Sequence, residues 1–89
     1  MENNEKQIEM SDSPIGSSGA KCVAAAINFC EGLLEIRLSN CAIKDSGARS
    51  LFDELANSNT VQIVDMSRNP ISERSFDSLE NLLNKNKQI

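Results

Sequence analysis

Three stretches of this chain share one pattern of apolar and polar residues: LLEIRLSNCAI at residues 33–43, EKQIEMSDSPI at residues 5–15 and VQIVDMSRNPI at residues 61–71. They begin 28 residues apart, and the similarity continues behind each of them, so that the chain divides into units 5–32, 33–60 and 61–88. Internal repetition of this kind decides the fold before any local pattern does, because every unit must take up the same structure.

Apolar residues recur at fixed positions of the three units, and we call the residues at one position a column. Every member of the main columns except Glu5 is apolar, although only 39% of the whole chain is apolar. We therefore expect these columns to form the core. They are Glu5/Leu33/Val61, Ile8/Ile36/Val64, Met10/Leu38/Met66, Ile15/Ile43/Ile71, Ala20/Ala48/Phe76, Val23/Leu51/Leu79 and Ile27/Leu55/Leu83.

The composition excludes several classes of protein. The 89 residues have room for one small domain, and the 9 basic residues are scattered among 13 acidic ones, so nucleic acid is not expected as a partner. Residues 1–10 are polar and carboxylate-bearing and are therefore not expected to be a secretory signal, and the longest apolar run is far too short to span a membrane. Cys22, Cys30 and Cys41 have no paired CxxC spacing, which indicates free thiols in the cytoplasm.

Within each unit the apolar period changes from that of a strand to that of a helix. Ile36 and Leu38 are two residues apart, whereas Ala48, Leu51 and Leu55 are three and four apart. Each unit is thus predicted to be a short strand followed by a helix of about three turns. Identical units in series give an α/β solenoid, a short horseshoe arc with a parallel sheet on its concave face and helices on its convex face.

Residues that can accept a hydrogen bond from free backbone amides mark the predicted helix starts. These are Ser17 or Ser18, Asp45 or Ser46, and Ser72. The predicted domain covers residues 5–89, with residues 1–4 disordered and Ile89 beginning an incomplete fourth unit.

The spacing of residues 33–51 resembles a known family. Leu33-x-x-Ile36-x-Leu38-x-x-Cys41-x-Ile43-x-x-x-Gly47-Ala48-x-x-Leu51, followed by Val61-x-x-Val64-x-Met66-x-x-Asn69-x-Ile71, is similar to the leucine-rich repeat, in its 28-residue ribonuclease-inhibitor-like class. That resemblance implies the horseshoe fold and also a structural ladder, in which one side chain per unit bonds the turn after the strand. The ladder position, Asn or Cys in the family, falls on Asn69 and Cys41, and in the first unit on Ser13, which departs from the family's pattern. The motif names a fold and leaves the function open.

The remaining cysteines and carboxylates carry no recognisable chemistry. Cys22 and Cys30 are expected on the first helix as small packing residues. The chain has no His, Trp or Tyr, no glycine-rich phosphate loop and no metal-ligand spacing. We therefore predict that the protein is not an enzyme and uses neither cofactor nor metal.

Recognition of another protein has better candidates, because strand residues that alternate with the core columns point out of the concave face. Glu35, Arg37, Ile63 and Asp65 lie there, with Arg37 between Glu9 and Asp65 and able to pair with either. One interpretation is an exposed charge ladder of little energetic consequence. The other is a partner-binding strip on a rigid scaffold.

The first helix offers a second candidate surface. Residues 22–30 are apolar almost all round, whereas the later helices keep a polar outer face. Phe29 occupies the position of Asn57 and Lys85, so its flank is expected to contact a partner or a preceding repeat. The ends of the solenoid are expected to be covered by another chain or by further repeats.

These features predict a non-catalytic protein interaction or scaffolding module in a cytoplasmic assembly, including cytoskeletal or ciliary ones. Its protein partner is not indicated, and membranes are not expected among its partners. The resemblance leaves two alternatives open: a regulator of a small GTPase or another enzyme, like the arrays of Ran GTPase-activating proteins, and a tropomodulin-like actin-binding fragment.

Thermal denaturation tests the prediction that three units with open ends are marginally stable. Each unit needs a neighbour to bury its apolar face, so the isolated chain should unfold easily or self-associate. Circular dichroism should show a midpoint below about 65 °C, the upper range of mesophile domains. Cooperative melting of a dilute monomer above this temperature would contradict the prediction that the ends of the repeat are uncovered.

Overall fold

The computed structural model describes residues 7–30 and 32–86. It has three parallel strands and three helices in strict alternation, as the change of apolar period predicted. The predictions for residues 1–4 and for Ile89 lie outside the described residues. The elements are β1 (Gln7–Glu9), α1 (Gly16–Ile27), β2 (Glu35–Arg37), α2 (Asp45–Leu55), β3 (Ile63–Asp65), a 3₁₀ turn (Glu73–Ser75) and α3 (Phe76–Lys85).

The sheet has the order β1-β2-β3 and a constant register. Ile8 pairs with Ile36, and Ile36 pairs with Val64, so the paired residues are those that the 28-residue alignment places in one column. Backbone hydrogen bonds continue the pairing past the strand ends, since Met10 donates to the Arg37 carbonyl at 3.0 Å and Leu38 to the Asp65 carbonyl at 2.7 Å. The repeat in the sequence is therefore a repeat in the backbone pairing.

The core is centred on the middle unit. Its members of the predicted columns are all buried, because this unit has a neighbour on each side: Leu33, Ile36, Leu38, Ile43, Ala48, Leu51 and Leu55. Ile8, Val23, Val64 and Leu79 in the outer units are only partly buried against this core. The described residues thus form an α/β repeat in which burial decreases towards both ends.

Gly47 sets the approach of α1 to α2. A Cβ atom at this position would lie 2.8 Å from the Ser17 Cα and 2.9 Å from the Ala20 Cβ, which are shorter than real Cβ contacts. Any larger residue must push the two helices apart. The corresponding residue of the third unit is Ser75, whose hydroxyl donates to Asp45 Oδ1 at 2.6 Å.

The predicted helix caps are wrong for the first two helices. α1 begins at Gly16 and α2 at Asp45, and neither has a side-chain cap. Ser17 instead accepts a hydrogen bond from the Lys44 amide at 3.0 Å. The start of each helix lies beside the loop that enters the next helix, so the nearest unpaired amide belongs to the following unit.

Asp45 makes the same kind of bond one unit later. Its carboxylate accepts hydrogen bonds from the Ser72 amide at 2.8 Å and from the Ser72 hydroxyl at 2.6 Å, in addition to the Ser75 hydroxyl. Ser72 also acts as the predicted cap, because its hydroxyl accepts from the Arg74 amide. The turn into α3 is therefore held by polar contacts with the start of α2.

The alignment misplaces the last core residue of α3. Leu83 was expected to be buried like Leu55, but it is 49% exposed, whereas Leu82 is 2% exposed. The third helical segment begins with a 3₁₀ turn, Glu73–Ser75, where α2 begins with α-helical residues. Each residue of a 3₁₀ turn rotates by about 120° around the helix axis, compared with about 100° in an α-helix. The extra rotation shifts the core-facing positions of α3 towards its N-terminus, so that Leu82 is buried in place of Leu83.

A column of left-handed residues lies in the turns after the strands. Asp12, Asn40 and Arg68 have φ values of 69°, 56° and 60°, and they occupy one column of the alignment. Asp and Asn tolerate this conformation better than other non-glycine residues. The Asn40 side-chain amide donates to Asp12 Oδ1 at 3.0 Å, which joins two neighbouring turns.

Acid denaturation tests the contribution of Asp45. Hydrogen bonds from the hydroxyls of Ser72 and Ser75 and from the Ser72 amide lower the pKa of Asp45 below its usual value of about 4. A carboxyl with a lowered folded-state pKa adds stability that is complete above its unfolded-state pKa and is lost as pH falls through the folded-state pKa. The free energy of unfolding in urea should therefore fall below about pH 5, and it should fall less steeply in Asp45→Asn.

Asp53→Asn, on the exposed side of α2, is the matched control for the loss of one carboxylate. Equal slopes in Asp45→Asn and the parent would show that the hydrogen bonds of Asp45 do not stabilise the folded chain.

Candidate functional site

Four predicted partner-binding residues share one face of the sheet. Glu35 and Arg37 lie on β2, Ile63 and Asp65 lie on β3, and the register pairs Glu35 with Ile63 and Arg37 with Asp65. We call these four residues the strand strip. The Arg37 side chain is 40% exposed and Ile63 is 43% exposed, so the strand strip presents a guanidinium and an aliphatic group side by side.

The ion pair of Arg37 differs from the prediction. Arg37 Nε lies 3.0 Å from Glu35 Oε2 on its own strand, whereas Glu9 and Asp65 were the expected partners. Residues two apart on a strand point to the same side, which makes this pair geometrically direct. The other two carboxylates are engaged in the same way: Ser11 donates to Glu9 at 3.2 Å and Ser67 to Asp65 at 2.8 Å.

Hydrogen bonds lower the pKa of Asp65. The Ser67 amide and then the Ser67 hydroxyl donate to its carboxylate and lower its pKa, and the charge of Arg37 acts in the same direction. Further along the strands, the Ser39 and Ser67 hydroxyls lie 3.0 Å apart, and the Ser39 amide donates to the Ser11 hydroxyl. The strand strip therefore continues into a polar serine column.

Phe29 is the most exposed large apolar side chain of the described residues, at 86%. The first helix ends at Ile27, so Phe29 and Cys30 lie in the turn behind it and not on the helix as expected. The Phe29 amide donates to the Ala26 carbonyl at 2.9 Å, which fixes the backbone of this turn. Asn28 and Cys30, on either side of Phe29 in the chain, help to line an open cavity of about 310 Å³ between the ends of α1 and α2, whereas the Phe29 side chain is not part of its lining.

The two cysteines near this flank differ in burial. Cys22 was expected to be a packing residue, but it is exposed, because it lies on the side of α1 away from α2. Cys30 is partly buried and packs against the core. The two cysteines therefore do not form the apolar surface on α1 that the sequence predicted, and Phe29 is the main exposed apolar side chain of this flank.

Asn69 joins the second and third units through its side chain. Its amide oxygen accepts hydrogen bonds from the Cys41 and Ile43 amides at 2.8 and 3.1 Å. Its amide nitrogen donates to the carbonyls of Leu38 and Met66 at 2.8 and 2.9 Å. One side chain thus satisfies backbone groups of two successive turns.

Cys41 occupies the same position one unit earlier but makes fewer bonds. Its buried thiol donates to the Met10 carbonyl at 3.1 Å, the counterpart of the bond from Asn69 to Leu38. A thiol is a weak acceptor, and the corresponding amides of Ser13 and Ile15 bond locally, to the Met10 and Ser13 carbonyls. The Ser13 hydroxyl makes no hydrogen bond within the described part of the chain.

Another joint was missed by sequence reasoning. The Asn86 side chain is buried and donates to the carbonyls of Leu55 and Ser58, at 2.9 and 2.8 Å, which closes the end of α2. Ser58 itself accepts from the Val61 amide. The signal was present in the sequence, since Ser58 and Asn86 are 28 residues apart and both are able to bond backbone groups.

The described residues contain no cluster of three or more cysteine or carboxylate side chains that could hold a metal ion. No helix within ranges 7–30 and 32–86 is long and apolar enough to cross a membrane.

Substitution of Asn69 tests its role as a joint. Asn69→Ala removes the partners of two amides and two carbonyls, and should lower the free energy of unfolding by about 1–3 kcal/mol. Cys41→Ser should cost less, because a hydroxyl can still donate to the Met10 carbonyl. Chemical denaturation measures both effects.

Alkylation of Cys41 provides an independent check. The folded chain should protect Cys41 from an alkylating reagent, whereas Cys22 should react at once because it is exposed. Labelling of Cys41 at the rate seen in denaturant would contradict its place between the first two units.

A protein-family model matches part of the chain. The family model described as Leucine Rich repeat matches residues 30–52, which include β2 and most of α2. No curated protein matches the chain. Leucine-rich repeats generally mediate contacts between proteins, and the match falls on the unit whose apolar columns are fully buried.

Proposed function

We propose that this protein is a non-catalytic module for binding or scaffolding other proteins, built as a leucine-rich-repeat solenoid of the ribonuclease-inhibitor-like class. The 28-residue register of the strands supports the solenoid, because the same hydrogen bonds recur from one unit to the next. We further propose that it acts in the cytoplasm, as a part of a larger or cytoskeletal assembly, without cofactor or metal.

The observation that carries this proposal is the fixed display of exposed side chains. Arg37 is held by Glu35, and Asp65 is held by Ser67, so both charges have defined positions before a partner arrives. Preorganised side chains lose less conformational entropy on binding. Ile63 adds an exposed apolar group beside them.

Two surfaces compete for the main contact, the strand strip and the flank around Phe29. The flank is favoured because burial of apolar area contributes more to affinity than exposed charges do. An aromatic side chain that is 86% exposed is a typical anchor for a partner.

Capture of partners from the native source by the tagged chain distinguishes the two surfaces. Phe29→Asp should abolish co-purification if the flank binds, and circular dichroism should stay unchanged because Phe29 contributes little to the core. Arg37→Glu should abolish it if the strand strip binds, and that binding should weaken with salt. Leu34→Asp and Arg49→Glu, both at exposed positions, are the matched controls.

Loss of helical signal in Phe29→Asp would show that Phe29 supports the fold, which removes the argument for the flank. Unchanged capture by both Phe29→Asp and Arg37→Glu would contradict both surfaces.

A further inference from the structure

Each helix of the repeat turns one stripe of residues towards the following helix. On α1 the stripe includes Ala20, Ala24 and Ile27, and all three are buried. On α2 the same positions hold Ala48, Phe52 and Leu55, which are buried as well. The contact of Gly47 with Ser17 and Ala20 shows directly that this stripe of α1 faces α2.

In α3 the residues of these columns are moved off the core face by the preceding 3₁₀ turn, and they form an open stripe. It contains Phe76, Glu80 and Leu83, and the two apolar members are 60% and 49% exposed. Leu79 lies beside them and is only partly buried, so that three large apolar side chains and Glu80 line one shallow surface. We call Phe76, Leu79, Glu80 and Leu83 the α3 face.

Negative charge borders the α3 face on one side. Glu73, Asp77 and Glu80 are all exposed and lie three and four residues apart, which places them along one edge of the helix. In the second unit the same positions hold Asp45, Arg49 and Phe52, so this acidic edge is particular to the third unit. Two basic residues are near this edge. The charge of Arg74 lowers the pKa of Asp45, and Lys85 lies at the C-terminal end of α3.

A second copy of the chain is a poor occupant of this face. Two copies that meet through the α3 face bring Glu80 of each close to the acidic edge of the other. Like charges taken out of water without a cation oppose association. The apolar stripe and its acidic edge instead match a segment with apolar residues on one side and cations beside them.

We propose that the α3 face docks an amphipathic helix of a partner protein whose polar side is basic. The partner's aliphatic or aromatic residues would pack on Phe76, Leu79 and Leu83, while its Lys or Arg side chains would pair with Asp77 and Glu80. This inference rests on the proposed function as a protein-binding module, and it adds the location of the contact and the chemistry of the partner.

Two synthetic helical peptides test whether the α3 face prefers a basic helix. One has about 14 residues, or four turns, with Leu on one side and Lys on the other, and its twin has Glu in place of every Lys. Fluorescence anisotropy with the whole 89-residue chain should show binding of the Lys peptide. The Glu peptide should bind at least about tenfold more weakly, and added salt should narrow the difference.

Variants of the chain locate the contact. Phe76→Ser should weaken the binding of the Lys peptide by about tenfold or more, as truncation of a central aromatic anchor does. Glu80→Lys should weaken the binding of the Lys peptide and strengthen the binding of the Glu peptide. An unfolded variant cannot produce this reversal. Leu34→Ser and Asp53→Lys, at exposed positions outside the α3 face, should leave both affinities unchanged.

Equal binding of both peptides, or no effect of Glu80→Lys, overturns the inference. Sedimentation that shows a dimer of the parent chain, dissolved by Phe76→Ser, overturns it in favour of a second copy. If cellular partners are captured by Glu80→Lys but lost in Phe29→Asp or Arg37→Glu, the proposed function stands and only the α3 face is wrong.

Discussion

Parallel pairing of backbones at a constant register is the constraint on which the rest of this structure depends. Once Ile8, Ile36 and Val64 are paired, the strand and the turn behind it lie beside the same segments of the next unit. The chain must then supply side chains that suit such neighbours: apolar residues in the core, and polar residues that bond across the joints. Both the apolar columns and the chain of contacts from Ser17 to Lys44 and from Asp45 to Ser72 follow from this requirement.

The same constraint explains why the exposed face is ordered. Side chains two residues apart along an extended chain point to the same side, so Glu9, Glu35 and Asp65 each accept a hydrogen bond from the side chain two residues later. The strand strip is therefore not a loose array of charges. Its groups already have hydrogen-bond partners, and a binding protein meets them in fixed positions.

Much of the fold could be predicted from the sequence, because the apolar columns repeat at one spacing. The alternation of strands and helices, the strand register and the buried core of the middle unit all follow from it. The caps of the first two helices could not be predicted, since a serine at a helix start can accept from its own helix or, as Ser17 does, from the next unit. The exposure of Leu83 could not be foreseen either, because it depends on the 3₁₀ turn at Glu73–Ser75.

The candidate surfaces were less predictable than the fold. Sequence columns placed Arg37 beside Glu9 and Asp65, but the choice among three nearby carboxylates depends on which of them already bind a serine. The exposure of Phe29 followed from comparison with Asn57 and Lys85, whereas its place behind the end of α1 did not. The α3 face became visible only when the burial of equivalent positions was compared between units.

The contact between the first two units differs in chemistry from the contact between the second and third units. The two contacts should therefore respond differently to temperature. Between α1 and α2, which form the more extensive helix contact, Gly47 allows close apolar packing, and the ladder residue is a thiol with few bonds. Between the second and third units, Asn69, Asp45 and Asn86 supply many polar bonds. Hydrophobic burial weakens on cooling, so cold should loosen the first unit from the second while the polar joint still holds the other two together.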